Sequence, residues 1–316
     1  MTGRSDTTAR GARRGPRVPP AVMRFGARQI GRRCLDPALP WPVQRTRLDQ
    51  LTRTSVMPRG TTVEGQAIAG VPAKLVSVGA PGPEHSRLTV IHFHGGGYCV
   101  GSARMVRSWA AYLSAQAGCR VVLPEYRLAP EHPYPAALDD ARVVTDELLR
   151  EAAPGSVVLS GDSAGGGLAL ALLLSMRDEG EDLPAGCILL SPWLDLGRDR
   201  RAAADLVRRD VLLRPDWLDA CARAYADPAA WSDHLVSPLC APHSGLPPLL
   251  IQAATSELLA PDAALLAASA SAAGVDVTYS RWPGLWHDFA LQPGLLAAAD
   301  SALEQSAWFV RKVAAA

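Results

Sequence analysis

The stretch Val157-Val158-Leu159-Ser160-Gly161-Asp162-Ser163-Ala164-Gly165-Gly166 carries the most information in this chain of 316 residues. Residues 157–160 predict a short buried strand, and the apolar run that begins at Ala164 predicts a helix to Asp178. Between them stands the pattern G-x-S-x-G, the strained strand-to-helix turn that presents a nucleophilic serine. Its glycines remove Cβ atoms that would clash, and the helix N-terminus favours negative charge at Ser163. A chance Gly-Ser-Gly turn is the alternative, and the flanking strand and helix disfavour it.

Short apolar runs alternate with helical patterns on both sides of this stretch, which predicts an α/β fold. The predicted strands are 88–94, 120–123, 157–160, 187–191, 249–253 and 275–280, and the predicted helices are 105–116, 135–151, 164–178, 260–273 and 295–313. Fully apolar strands between helices indicate a mostly parallel sheet covered on both faces. Before them, 61–68 and 73–78 alternate in strand fashion around a Gly-Val-Pro turn and predict a hairpin.

Two regions break this alternation. Residues 1 to about 50 are rich in Arg and Pro and predict an irregular lead-in with short helices. Residues between Pro192 and Pro247 contain helix-like pieces at 200–207 and 215–226 and no convincing strand. A long insertion of this kind is typical of a functional lid. We therefore predict one domain over residues 1–316, with a cap formed by about 1–50 and about 193–236.

A second motif is the glycine loop His94-Gly95-Gly96-Gly97-Tyr98, which directly follows a predicted strand. Successive glycines let backbone N–H groups approach a ligand, as the oxyanion of an acyl-transfer intermediate requires. Such a loop could instead cradle phosphate, but neither G-x-G-x-x-G nor a Walker lysine accompanies it. His94 itself is interpreted as a brace for the loop.

The base that activates Ser163 must be a histidine that follows it, because the order in this type of site is nucleophile, acid, histidine. His234 and His243 fall in the insertion and its exit. His287 lies in a loop between the last predicted strand and the last predicted helix. His287 is therefore the predicted base.

With these motifs in place, the chain resembles the hormone-sensitive-lipase-like esterases, bacterial family IV, from about Thr89 to Phe309. The resemblance rests on the segments 94–98, 126–137, 161–166, 191–195 and 245–248. It implies an α/β-hydrolase core, a helical cap and hydrolysis of small carboxylic esters. It also implies that Gly96, Gly97 and Ala164 supply the N–H groups of the oxyanion hole, and that 126–137 is architectural.

The acid of the site departs from the family pattern, which is Asp-Pro-Leu followed by another acidic residue. Here Glu257 stands where that Asp would be, and Pro261 stands at the later acidic position. A glutamate can hold the tautomer of the histidine and stabilise imidazolium. Asp262 begins a helical pattern, where an acid complements the helix dipole. Asp288 adjoins His287, and adjacent side chains seldom face each other well enough to pair. Glu257 is the predicted acid, and Asp262 and Asp288 remain alternatives.

Composition excludes several other classes of protein. Hydrophobic residues make up 48% and charged residues 20% of the chain, and its net charge of +1 gives no reason to expect nucleic acid as a partner. The first 33 residues carry nine Arg and one Asp, which suits a solvated tail or an arm for an anionic surface. No apolar run approaches the ~20 residues of a membrane span, and no signal peptide is evident. Six scattered cysteines predict reduced thiols and a cytoplasmic location. We expect a monomer or homodimer without metal or cofactor.

Three functions are compatible with these residues. The first is a serine carboxylesterase that hydrolyses short- to medium-chain esters, or lactones, through an acyl-enzyme. The second is an acyltransferase or dehydratase of secondary metabolism on the same fold, since an alcohol can capture an acyl-enzyme in place of water. The third is a non-catalytic binding protein, which would be expected to have lost Ser163 or His287. The esterase is the prediction.

Overall fold

A single eight-stranded sheet organises the protein. The computed structural model describes residues 17–53, 55–79, 88–153 and 155–315. The strands are β1 (Thr61–Ile68), β2 (Val71–Val78), β3 (Thr89–Phe93), β4 (Arg120–Pro124), β5 (Val157–Asp162), β6 (Gly186–Leu190), β7 (Leu249–Ala254) and β8 (Val277–Trp282). Their order is β1-β2-β4-β3-β5-β6-β7-β8. The pairs β1–β2 and β2–β4 are antiparallel, and all the others are parallel.

Helices cover both faces of this sheet. They are α1 (Pro20–Cys34), α2 (Trp41–Leu51), α3 (Ala103–Ala117), α4 (Ala136–Glu151), α5 (Ala164–Asp178), α6 (Ala204–Arg209), α7 (Pro215–Tyr225), α8 (Ala260–Ala272) and α9 (Ala297–Ala314). One apolar core joins the sheet to α3 and α9, and the other joins it to α4, α5 and α8. No helix in the described ranges is long and apolar enough to cross a bilayer. The predicted α/β-hydrolase architecture, with helices on both faces of a mostly parallel sheet, is confirmed.

The boundaries differ from the sequence prediction mainly before the parallel strands. The hairpin turn falls at Ala69 and Gly70, both at positive φ (48° and 85°), and β2 already begins at Val71. The predicted Gly-Val-Pro turn was therefore placed too late, because Pro72 is tolerated near the start of a strand. The N-terminal region is also more regular than expected, since α1 and α2 have 15 and 11 residues. Each carries Pro in its first turn, where no backbone donor is needed.

The N-terminal helices pack against the insertion that follows β6. A Cβ atom on Gly31 of α1 would lie 2.3 Å from the carbonyl oxygen of Leu212. The indole Nε1 of Trp217 in α7 donates to Gln44 Oε1 of α2 at 2.9 Å. Chain segments almost two hundred residues apart thus meet over the sheet edge where the parallel strands end. Residues 1–16, which belong to the predicted cap, lie outside the described residues.

The contact between α5 and β3 leaves no room for a side chain at Gly165. Its Cβ would lie 2.0 Å from the carbonyl oxygen of Phe93, whereas a Cβ on Gly26 would meet nothing within 4 Å. We expect Gly165→Ala to lower the free energy of unfolding by about 1–3 kcal/mol, the usual cost of overpacking. Gly26→Ala, in the middle of α1, should raise it by up to about 1 kcal/mol. Urea denaturation of the two variants checks this, and equal stabilities would contradict it.

Candidate active site

Ser163 occupies the turn between β5 and α5 in a conformation that non-glycine residues seldom adopt. Its φ and ψ are 51° and −120°. A Cβ on Gly161 would lie 2.1 Å from the carbonyl oxygen of Gly165, so the turn closes tightly on itself. The backbone of Ser163 is fixed on both sides, by its N–H donating to Leu190 O and by its carbonyl accepting from Trp193 N, each at 2.9 Å. The serine is therefore held rigidly at the C-terminal edge of the sheet, at the start of a helix.

The glycine loop lies against this turn. A Cβ on Gly95 would lie 3.1 Å from the Cβ of Ser163. Gly96 and Gly97 follow at φ 120° and 61°, backbone conformations that favour glycine. Within the described part of the chain, neither of their N–H groups donates a hydrogen bond. Ala164 is the first residue of α5, where the N–H has no intrahelical acceptor. Backbone donors without partners thus lie on either side of the serine.

His94 braces the loop from beneath. Its ring stacks on Tyr126, with centroids 4.4 Å apart, and its Nδ1 lies 2.8 Å from Gly95 O. The hydroxyl of Tyr126 donates to His94 O at 2.6 Å. Burial lowers the pKa of His94, which leaves the imidazole neutral. These contacts agree with a bracing role for His94 and tie the segment 126–137 to the glycine loop.

His287 and Glu257 lie side by side in the interior. The Nδ1 of His287 is 3.5 Å from Glu257 Oε2, and the two side chains are 2% and 0% exposed. Glu257 Oε2 also accepts a hydrogen bond of 2.8 Å from the hydroxyl of Ser191. Burial raises the pKa of Glu257. For His287, burial alone would lower the pKa, but the carboxylates of Asp288 and Glu257 outweigh it and hold that pKa well above its usual value.

The two alternative acids have quite different surroundings. Asp262 is buried in a two-pronged ion pair with Arg200, with both N–O distances at 2.7 Å. It also accepts hydrogen bonds from the N–H groups of Leu194 and Asp195. Asp262 therefore fixes the chain that follows β6, and its oxygens are occupied there.

Asp288 does face His287, contrary to the expectation for adjacent side chains. Its Oδ2 lies 3.1 Å from the Nε2 of His287, on the opposite side of the ring from Glu257. The expectation was wrong because Asp288 adopts a left-handed conformation (φ 57°, ψ 26°), which turns its side chain back toward the preceding residue.

Aromatic side chains from the core and the insertion meet beside the glycine loop. Tyr98 stacks on Tyr225 with centroids 3.8 Å apart and lies 6.1 Å from the ring of Trp193. Trp231, also in the insertion, lies outside this stack, with the guanidinium of Arg223 over its ring.

Several residues of the site were missed by sequence reasoning. A Cβ on Gly97 would lie 2.6 Å from Cys221 Sγ and 3.0 Å from Trp217, so α7 packs directly on the glycine loop. Asp210, in the insertion that follows β6, accepts the N–H of Leu258, next to Glu257, at 2.8 Å. These residues and Ser191 reach the site through long-range contacts, and only Ser191, inside the recognised segment 191–195, carried a signal.

Comparison with known proteins gives a consistent result. The family model described as alpha/beta hydrolase fold matches residues 90–291. An acetyl-hydrolase of Streptomyces hygroscopicus is 38% identical over 71% of this chain and 75% of that protein. Esterase LipU of Mycobacterium tuberculosis is 34% identical over 87% and 95%.

Solved structures agree with the sequence relatives. The chain is similar to an esterase from the bacterial hormone-sensitive lipase family, with a TM-score of 0.87 and 31% identity over 95% of this chain and 99% of that one. The protein therefore belongs to the alpha/beta-hydrolase fold family, in its hormone-sensitive-lipase branch.

Proposed function

We propose that this protein is a serine carboxylesterase in which Ser163 is the nucleophile, His287 the general base and Glu257 the acid that orients it. The observation that carries the proposal is the placement of Ser163 on a strained turn between two sets of free backbone donors. The esterases and acetyl-hydrolases among its relatives support the same reaction class.

The reaction follows from these positions. Ser163 Oγ attacks the ester carbonyl while His287 Nε2 takes its proton, and the carbonyl electrons move onto the oxygen. The N–H groups of Gly96, Gly97 and Ala164 stabilise that oxyanion because they need no rearrangement to do so. When the intermediate collapses, His287 gives its proton to the departing alcohol. A water molecule, activated by His287, then hydrolyses the acyl-Ser163 ester.

Glu257 is proposed as the acid because of where its carboxylate lies. It reaches the Nδ1 side of His287, so it does not compete with Ser163 for Nε2. The separation of 3.5 Å is looser than a catalytic hydrogen bond of ~2.6–3.2 Å, and such contacts often tighten once substrate binds. Asp262 is committed to Arg200, which supports Glu257 over it.

The cap sets the size of substrate that we propose. We infer that about 1–50 and about 193–236 form a cap over the active site of a single domain over 1–316, since α1 contacts Leu212 in the insertion and α2 contacts α7. Helix α7 touches the glycine loop at Gly97, and Ser163 is only 4% exposed. This enclosure favours short- to medium-chain carboxylic esters, or lactones of similar size.

We also propose that the enzyme is cytoplasmic and acts as a monomer or a homodimer. The six cysteines are free and Cys240 is exposed. Free thiols of this kind suit the reducing cytoplasm. Ser163, His287, Glu257 and the glycine loop all come from one chain, so a monomer or a homodimer can carry the reaction.

The first test removes the nucleophile. Ser163→Ala should lower kcat for an aryl acetate by at least ~1000-fold, because loss of a triad member costs that much. Its denaturation midpoint should stay close to that of the wild type. Near wild-type turnover by the variant would refute the proposal.

The second test compares two buried acids. Glu257→Gln should lower kcat by roughly 10⁴-fold, as the corresponding change does in other triads. Asp262→Asn is the matched control, because it weakens the buried pair with Arg200 and should lower stability far more than it lowers kcat of the folded enzyme. Steady-state kinetics and urea denaturation of both variants give the answer. Equal losses of kcat would contradict the assignment of Glu257.

The third test concerns acyl length. Because α7 closes directly on the glycine loop, kcat/KM should fall steeply as the acyl chain of an aryl ester lengthens from acetate toward palmitate. Emulsified long-chain triglyceride should be a poor substrate. A pH-stat assay over the ester series measures this trend, and efficient triglyceride hydrolysis would overturn it.

A further inference from the structure

Asp288, the residue after the proposed base, contacts Nε2 of His287, which is the nitrogen that must accept the Ser163 proton. Its Oδ2 lies 3.1 Å from His287 Nε2, and its side chain is 17% exposed. Its other oxygen, Oδ1, is buried and has no hydrogen-bond partner within the part of the chain that the structure describes. No hydrogen bond joins Ser163 Oγ to His287 among these residues. The contact that the structure gives Nε2 of the imidazole is therefore with a carboxylate.

The position of Asp288 is fixed by the same side chain that holds Glu257. The N–H of Asp288 donates to Ser191 Oγ at 3.3 Å, and that hydroxyl donates to Glu257 Oε2 at 2.8 Å. Both carboxylates are thus placed relative to one serine, on opposite sides of the imidazole ring. The left-handed backbone at Asp288 is one that aspartate, asparagine and glycine tolerate.

Among the described residues, the charged groups that act on this histidine from the neighbouring elements are acidic. Glu257 comes from the loop after β7, Asp288 from the histidine's own loop and Asp210 from the cap, and Asp162 at the end of β5 acts on Asp288. Asp162 is also in contact with His92, at 3.0 Å. Among the described residues, no arginine or lysine forms an ion pair with any of the four acids. This surrounding favours the protonated ring, which cannot act as a base.

We propose that Asp288 is a positioning residue that holds His287 in a resting state, by occupying Nε2 and favouring imidazolium until the ring is released to Ser163. The inference rests on the proposed function, since it assigns a regulator to that base. Release requires deprotonation of the ring, because only the loss of the Nε2 proton ends the ion pair with Asp288 and leaves Nε2 free to accept the Ser163 proton.

The direction of the pH effect follows from the charges. The carboxylates of Asp288 and Glu257 raise the pKa of His287, so the ring stays protonated and inactive up to a higher pH than usual. Burial raises the pKa of Asp288 to about 7, with His287 opposing that shift, so Asp288 carries its charge where the ring must lose its proton. Removing the Asp288 charge should therefore move the acid limb of the activity profile to lower pH.

The test is the pH dependence of kcat/KM for an aryl acetate in the full-length enzyme, since this profile reports the free enzyme's base. Asp288→Asn and Asp288→Gly both suit the left-handed backbone, so both variants should fold. Each should move the acid limb down by about one to three pH units, the effect of one nearby charge. Both should meet the wild-type rate at alkaline pH. Asp178→Asn is the matched control, because Asp178 lies 3.0 Å from the exposed His234, and its profile should not move.

Two outcomes would overturn the proposal. One is an acid limb that coincides with the wild type in both variants, and the other is a uniform loss of activity at every pH, as a purely structural residue would give. Failure of the esterase proposal itself would look different. The Ser163→Ala variant would then be as active as the wild type, whatever residue stands at position 288.

Discussion

Backbone-to-backbone contact between the serine turn and the end of β3 is the constraint on which the site depends. A Cβ at Gly165 would collide with the carbonyl oxygens of Phe93 and His94 at 2.0 and 2.6 Å, and only glycine allows this approach. The contact sets the distance between Ser163 and the glycine loop, because β3 leads directly into that loop. The proposed nucleophile and the proposed oxyanion donors are thus positioned by the backbone rather than by flexible side chains, which makes them available without reorganisation.

Asp210 provides a second structural connection, between the insertion after β6 and the loop after β7. Asp210 accepts the N–H groups of Leu212 and Leu213 in its own segment and that of Leu258 beside Glu257. A single carboxylate therefore joins the insertion after β6 to the loop that carries the proposed acid. The same carboxylate also interacts electrostatically with His287.

The parallel core and the serine turn were predictable because strong local signals mark them. The strands are largely apolar runs, and the predicted helix 164–178 coincides with α5 (Ala164–Asp178). Gly161 and Gly165 mark the tight turn between strand and helix. The N-terminal helices were underpredicted because proline and arginine obscure their pattern. The contacts of Asp210, Trp217 and Cys221 join residues that are far apart in the sequence, and no local sequence pattern predicts such contacts. The orientation of Asp288 depends on its left-handed backbone conformation. Aspartate can adopt that conformation but does not have to, so the sequence does not predict it.

The central claim is that Ser163 is the nucleophile of an ester hydrolase, and covalent labelling tests it most directly. The wild-type enzyme would be treated with a serine-directed organophosphate, followed by intact-mass measurement and peptide mapping. The account predicts one adduct per chain, on Ser163, with loss of ester hydrolysis in proportion to labelling. An adduct on another residue that abolishes activity, or undiminished hydrolysis by fully labelled enzyme, would contradict it.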